Sequence, residues 1–196
     1  MTPPERSVDQ STLPGGDEAY DLCYWLDIGE VIVDIALDWD QFACENNAPE
    51  LVKRNVIGRN LLGFVAGDVT RMYVRTLIQS ARLLRQPIVR RYRCDSPEMR
   101  RHMEMRLHIE DSGLLRWEHR LIGQERLRTP VSFVPAADAH PRRLHVRCSM
   151  CNRLKGQRGW NEPDDEVLLA TPNEPVIPVI YGVCPDCLSA HPAGRF

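Results

Sequence analysis

Two matched cysteine pairs constrain this chain more than any other feature. Residues 148–151 read CSMC, residues 184–187 read CPDC, and 32 residues separate Cys151 from Cys184. Each C-x-x-C puts two thiols on one tight turn whose backbone amides stabilise thiolate charge. Two such turns brought together make a tetrahedral S4 site suited to zinc, or to iron in a rubredoxin-like manner. The alternatives are disulfides, a dithiol–disulfide switch, or chance. The insert is longer than in a compact zinc ribbon. It has little core of its own, so metal binding at Cys148, Cys151, Cys184 and Cys187 would supply much of its folding energy. His145 and His191 flank the pairs as substitute ligands or as ordinary surface residues. Cys23, Cys44 and Cys94 have no pair spacing, and Cys44, beside Phe42, reads as a small core residue.

The start of the chain, MTPPERSVDQSTLPGGDEAY, is polar and has no apolar export core. It reads as a disordered lead-in over residues 1–21. Without an export signal a reducing cytoplasm is the expected compartment, where structural disulfides are rare. No run of 18 apolar residues occurs, so no membrane helix is expected. A net charge of -2 with 43% hydrophobic residues fits a chain with a real core and no general polyanion affinity.

From Leu22 the chain gives two short strands around Asp27–Glu30. Helical pieces follow, one of them opened by Asp38 as an N-cap. Next comes a longer helix over DVTRMYVRTLIQSARLLR, ended by Pro87. In that helix Met72, Leu77, Ile78, Ala81 and Leu84 form the expected apolar stripe. Three strands follow. Met103, Met105, Leu107 and Ile109 alternate with His102, Glu104, Arg106 and His108. Beyond a Ser112-Gly113 turn, Leu115, Trp117, His119 and Leu121 share a face opposite Arg116, Glu118 and Arg120. Two strands, several helices and three strands make an α+β domain, with helices on one side of an antiparallel sheet, over residues 22–123. Residues 124–145 read as a Pro- and Arg-rich linker with room for one short strand at Val131–Val134. Residues 146–196 form the cysteine module. Asp164-Asp165-Glu166 reads as a helix-start cluster.

The stretches WDQFACENNAPEL, VIGRNLLGFVAGDVTRMYV and VRRYRCDSPEMRRHMEMRLHIEDSGLLRWEHRLI resemble a PAS domain over about residues 24–122. RCSMCNRLKG…GW and IYGVCPDCL resemble a small cysteine module that follows PAS domains in bacterial sensors. The resemblance implies a PAS fold, a five-stranded antiparallel sheet with helices on one face, plus a zinc-ribbon-like or rubredoxin-like C-terminal module. It implies a sensory role without naming a ligand. Photoactive flavin is not expected, because GRNLLGFVAG has Leu61 and Leu62 where the reactive cysteine of such domains falls. Haem is not expected, because residues 68–85 contain no histidine. If a small molecule is held, Met103, Met105, Trp117 and His119 would border it, and His119 reads equally as a satisfied core histidine.

No phosphate loop, kinase motif or nucleophile elbow occurs, so no catalytic residue is expected. The expected function is a non-catalytic signal sensor acting through protein–protein contact. It would work as a homodimer, with residues 17–26 as a candidate dimer segment, and with a separate effector protein. Two alternatives stand beside it. One is a rubredoxin-like electron-transfer protein. The other is a nucleic-acid-binding regulator, because ten arginines against three acids lie between Arg71 and Arg106.

Overall fold

A computed structural model describes residues 21–36, 39–45, 48–136, 144–165 and 176–190. The lead-in, the Asp38 cap, His191 and parts of the linker and of the cysteine-pair insert lie outside the described residues. The first sheet contains β1 (Leu22–Leu26), β2 (Ile32–Ala36), β3 (Ile88–Arg93), β4 (Met99–Ile109) and β5 (Leu115–Arg126), in the order β2-β1-β5-β4-β3. Every pairing in it is antiparallel. The Asp27 carboxylate shapes the β1–β2 turn by accepting the amides of Gly29 at 2.8 Å and Val31 at 2.9 Å. Gly113, at φ 84°, turns β4 into β5.

All helices of this unit lie between β2 and β3. They are α1 (Trp39–Glu45), two 3-10 turns (Pro49–Leu51 and Leu61–Phe64), α2 (Lys53–Val56) and α3 (Asp68–Leu84). They cover one sheet face, and Leu77, Ile78 and Ala81 of α3 enter a core with Leu26, Leu107, Leu115 and Trp117. The buried stripe of α3 departs from the sequence expectation. Tyr73 joins Leu77, Ile78 and Ala81 inside, whereas Met72 is 67% exposed and Leu84 is also exposed. Tyr73 sits one position on from Met72 and lies beside Arg90 of edge strand β3 and the cysteine turns. A helical wheel alone favoured the more apolar side chain.

The second sheet joins β6 (Ser132–Pro135), β7 (His145–Cys148), β8 (Leu154–Gly156), β9 (Gly159–Asn161) and β10 (Val176–Gly182), in the order β6-β10-β7-β8-β9. β10 runs parallel to both β6 and β7. Part of the stretch expected to be a linker therefore lies in strands, and the short strand expected at Val131–Val134 is present one residue later as β6. Residues 124–126 continue β5 against Met99–Arg101, and 132–135 pair with β10. The uniformly polar Gln124-Glu125-Arg126 gave the first extension no alternation to read, and Pro178 hid β10. Pro178 lies in the half of β10 flanked by β6 alone, so its missing N–H does not interrupt a doubly paired strand. A small core of Val131, Leu154, Ile177 and Val179 sits beneath this sheet.

The two sheets pack through α3. Gly67, just before α3, has φ +80°, and a Cβ there would stand 3.0 Å from Tyr181 Cβ and 3.2 Å from the Tyr181 carbonyl oxygen. Gly67→Ala is expected to lower stability by about 1–3 kcal/mol, because both its backbone conformation and its space exclude a side chain. Urea unfolding followed by tryptophan fluorescence checks this, and an unchanged midpoint contradicts it.

Candidate metal centre

β7 delivers Cys148, and the chain then turns back on itself. The Asn152 amide donates to the Cys148 carbonyl at 2.9 Å, and the Cys148 amide donates to the Arg153 carbonyl at 2.8 Å. The turn closes through Asn152 at φ 60°, a left-handed conformation that asparagine tolerates better than most residues. The Asn152 side-chain amide also donates to the Arg93 carbonyl at 3.4 Å. The second pair uses a helix start. Cys184 caps α4 (Pro185–Ser189) with its Sγ accepting the Cys187 amide at 3.5 Å, and Pro185 occupies the first turn where no amide is needed. The two turns are stitched together by the Ser149 amide on the Gly182 carbonyl at 2.8 Å and the Cys184 amide on Cys148 Sγ at 3.3 Å.

Four sulphurs result, all within 4.8 Å of one another, with Cys151 Sγ and Cys184 Sγ 3.7 Å apart. A tetrahedron with metal–sulphur bonds of about 2.3 Å has edges of about 3.8 Å. A disulfide needs about 2.05 Å. The spacing is that of a tetrathiolate metal site and not of a bonded pair.

The electrostatics agree with the geometry. The thiols of Cys151 and Cys187 donate to Cys148, and backbone amides add to them, so the Cys148 thiol is held far below its ordinary range. Cys151, which donates to Cys148, is pushed up to about 12, and Cys187 is driven up by the same sharing. Left to themselves, four crowded thiols favour one thiolate and resist the next. A divalent cation removes that repulsion and allows all four to ionise. A divalent tetrathiolate still carries two negative charges, and cations surround the site. Arg153, whose own pKa is raised by Glu162 and then by Cys151, lines a cleft of about 300 Å3 with Tyr73, Arg90, Cys151, Asp186 and Cys187. The donor set, the spacing and the countercharges fit a metal of the zinc or rubredoxin-iron type. Any such ion would be held by Cys148, Cys151, Cys184 and Cys187.

The centre is not an isolated appendage. Cys148, Met150, Val183 and Cys184 belong to the same buried cluster as Tyr73, Leu77 and Trp117 of the first sheet unit. Thr70 Oγ1 of α3 meets Ser149 Oγ at 2.6 Å, and the Arg93 amide donates to the Met150 carbonyl at 2.7 Å. The first knuckle thereby caps the end of edge strand β3. Sequence reasoning missed Thr70, Tyr73 and Arg93 as partners of the cysteine turns. Nothing in a linear pattern links β3 to a segment some 55 residues later.

The expected pocket residues point inward as their alternation requires, but they do not surround one cavity. Met103, Met105 and Trp117 are buried. His119 stacks on both Tyr24 and Trp117, with ring centroids 5.6 and 5.8 Å away, and those two rings also meet each other at 5.8 Å. Its Nδ1 meets Tyr92 Oη at 2.9 Å and its Nε2 meets Tyr24 Oη at 3.4 Å. His119 is thus a satisfied core histidine. The neighbouring cavity of about 380 Å3 is lined by Phe42, Cys94, Met103 and Leu121, and of the four expected residues it takes only Met103. Trp117 Nε1 has no hydrogen-bond partner among the described residues.

Cys44 is exposed, contrary to its expected core place, because Ala43 takes the inward position on α1. Cys23 is buried under Arg116, whose Nε donates to its Sγ at 3.3 Å. His145 begins β7 and is not part of the four-residue cluster. Asp164 lies in the helical stretch 163–165, as expected of a helix start, but not at the surface. It is buried and accepts Arg100 Nη2 at 3.2 Å and the Arg128 amide at 3.3 Å.

Burial holds the His119 imidazole down to about pKa 4. The folded form therefore stays neutral to about pH 4, while the unfolded chain takes up a proton below about pH 6.5. This contribution leaves stability intact above pH 6.5 and erodes it as pH falls toward 4, by about 3 kcal/mol in all. His108, also held low by burial, adds to the fall. His119→Asn is expected to flatten the decline in denaturant midpoint between pH 6.5 and 4 relative to the parent. Parallel profiles would rule out the buried neutral imidazole.

No protein-family model matches the chain, and no curated protein matches it in sequence. No helix among the described residues is long and apolar enough to cross a membrane.

Proposed function

We propose that the chain is a non-catalytic PAS-type signal sensor in the cytoplasm, whose C-terminal tetracysteine centre binds zinc. The observation that carries this is the shared core. The four convergent sulphurs are packed against α3 and β3 of the helix-covered sheet, so the state of the centre and the packing of the sheet unit are coupled. The order of two strands, helices and three strands, with helices on one sheet face, supports the PAS resemblance. A change at the sheet core or at the cysteine centre would alter how the two units dock. A homodimer or a separate effector protein would read that surface.

The arginine-rich stretch does not favour nucleic acid. Arg93 pairs with Asp95 and Glu162, and Arg100 pairs with Glu125, Glu162 and Asp164. With Arg71 on Asp68 and Arg75 on Glu30, four of the ten arginines of that stretch are paired with carboxylates, which lowers the positive charge left for a phosphate backbone. Elemental analysis with a visible spectrum on the purified chain tests the centre. One zinc per chain and no visible colour is the expected result. A red protein with stoichiometric iron would replace this proposal by electron transfer through an iron tetrathiolate. Absence of metal, with bridges mapped at 148–151 and 184–187, would remove both.

A further inference from the structure

The four sulphurs are unequally placed. Cys148 and Cys184 are 0% exposed and enclosed in the core cluster with Met150 and Val183. Cys148 Sγ also accepts the Cys184 amide at 3.3 Å, and that hydrogen bond draws on its lone pairs and lowers its nucleophilicity. Cys151 and Cys187 are half-buried and line the cleft of about 300 Å3 between Tyr73, Arg90 and Arg153. The open edge of the centre is thus one cysteine from each knuckle, and the closed edge is the other two.

We infer that Cys151 and Cys187 form a peroxide-accessible edge of the centre, at which oxidation joins the two knuckles by a Cys151–Cys187 bridge and releases the metal. This rests on the metal-binding proposal above and adds a site and a direction to it. One edge thiolate attacks a hydroperoxide oxygen, breaks the O–O bond and becomes a sulfenic acid as hydroxide or alkoxide leaves. The second thiolate attacks that sulphur and expels hydroxide. Two thiolates supply two electrons, the peroxide takes both, and one S–S bond forms. The sulphurs already lie within 4.8 Å of one another, so a small rotation closes the bridge. Only Cys148 and Cys184 then remain as ligands, too few for a tetrathiolate site. A dithiol reductant reverses the step.

The product differs from the one that spacing alone suggests. C-x-x-C pairs ordinarily close within themselves, giving 148–151 and 184–187. The test uses the zinc-loaded full chain carrying Cys44→Ser and Cys94→Ser, which removes the exposed cysteines outside the centre. It is treated with one equivalent of hydrogen peroxide, alkylated, and mapped by non-reducing fragment-ion mass spectrometry, while a chromophoric chelator follows zinc. The expected result is a predominant 151–187 bridge appearing in step with zinc loss, both reversed by reductant. Any predominant bridge that uses Cys148 or Cys184, including 151–184 whose sulphurs lie 3.7 Å apart, or zinc loss without any bridge, would overturn the inference. A chain that purifies without metal overturns the metal-binding proposal instead, and there the bridge pattern alone judges the accessible edge.

Discussion

Cys184→Ser is expected to abolish stoichiometric metal binding and to lower the thermal midpoint of the whole chain, not of the C-terminal unit alone. Structural tetrathiolate sites contribute on the order of 10–16 kcal/mol of apparent binding energy at neutral pH, as much as an entire domain's stability. The small core of Val131, Leu154, Ile177 and Val179 is too slight to hold the second sheet without it. Losing the ion also leaves crowded thiols at a buried position shared with Tyr73 and Leu77. The helix-covered sheet then loses the surface that covers α3. Thermal unfolding by circular dichroism, with metal analysis on the same sample, checks this. Cys44→Ser is the matched control, because Cys44 is exposed. Its effect is expected to stay within about 0.5 kcal/mol. A Cys184→Ser chain that keeps its metal and its midpoint would refute the shared-core account.

The parts of this fold that were legible from sequence are those governed by local period. Strict alternation in Met103–Ile109 and Leu115–Leu121 located β4 and β5, and Met103, Met105, Leu107, Leu115 and Trp117 are buried as alternation required, whereas Leu121 at the far end is 42% exposed. The C-x-x-C spacing located the centre without any structural help, since two thiols on a turn leave few other arrangements. Length hid the second sheet. β6, β7, β8 and β9 are only three or four residues long, β10 contains Pro178, and parallel pairing brings together segments with no common local signal. The inward turn of Tyr73 was hidden because hydropathy ranks Met72 above it, whereas packing chose the ring that fills the space between α3 and the cysteine turns. His119 was read correctly as an inward residue. Its two tyrosine partners come from β1 and β3, and their meeting depends on strand order, which alternation does not encode.

Arg93→Met is expected to cost about 3–5 kcal/mol. Arg93 sits at the end of β3 with its guanidinium almost wholly buried, and the Asp95 carboxylate beside it is 5% exposed. Nε donates to Asp95 Oδ1 at 3.1 Å, and Nη2 pairs with Asp95 Oδ2. Nη1 reaches across to Glu162 Oε2 at 2.5 Å, on the segment that follows β9. Glu162 is also held by Arg153 at 3.1 Å and Arg100 at 3.2 Å, so it keeps partners when Arg93 is lost. Asp95 keeps the Arg101 amide at 3.2 Å and a weaker, non-hydrogen-bonded attraction to half-buried Arg147, but loses the guanidinium that holds both its oxygens. That stranded carboxylate, rather than the lost attraction, sets the size of the effect. Arg93→Met with Asp95→Asn is therefore expected to recover a substantial part of the loss, because the double change removes both charges. The backbone of residue 93 still holds Met150 and Asn152 in either variant, so metal stoichiometry is expected to survive while zinc leaves faster to a competing chelator. Urea midpoints for the two single variants and the double variant measure the coupling. If the double variant is as unstable as the sum of the singles, the charge is not what joins the sheet unit to the cysteine centre.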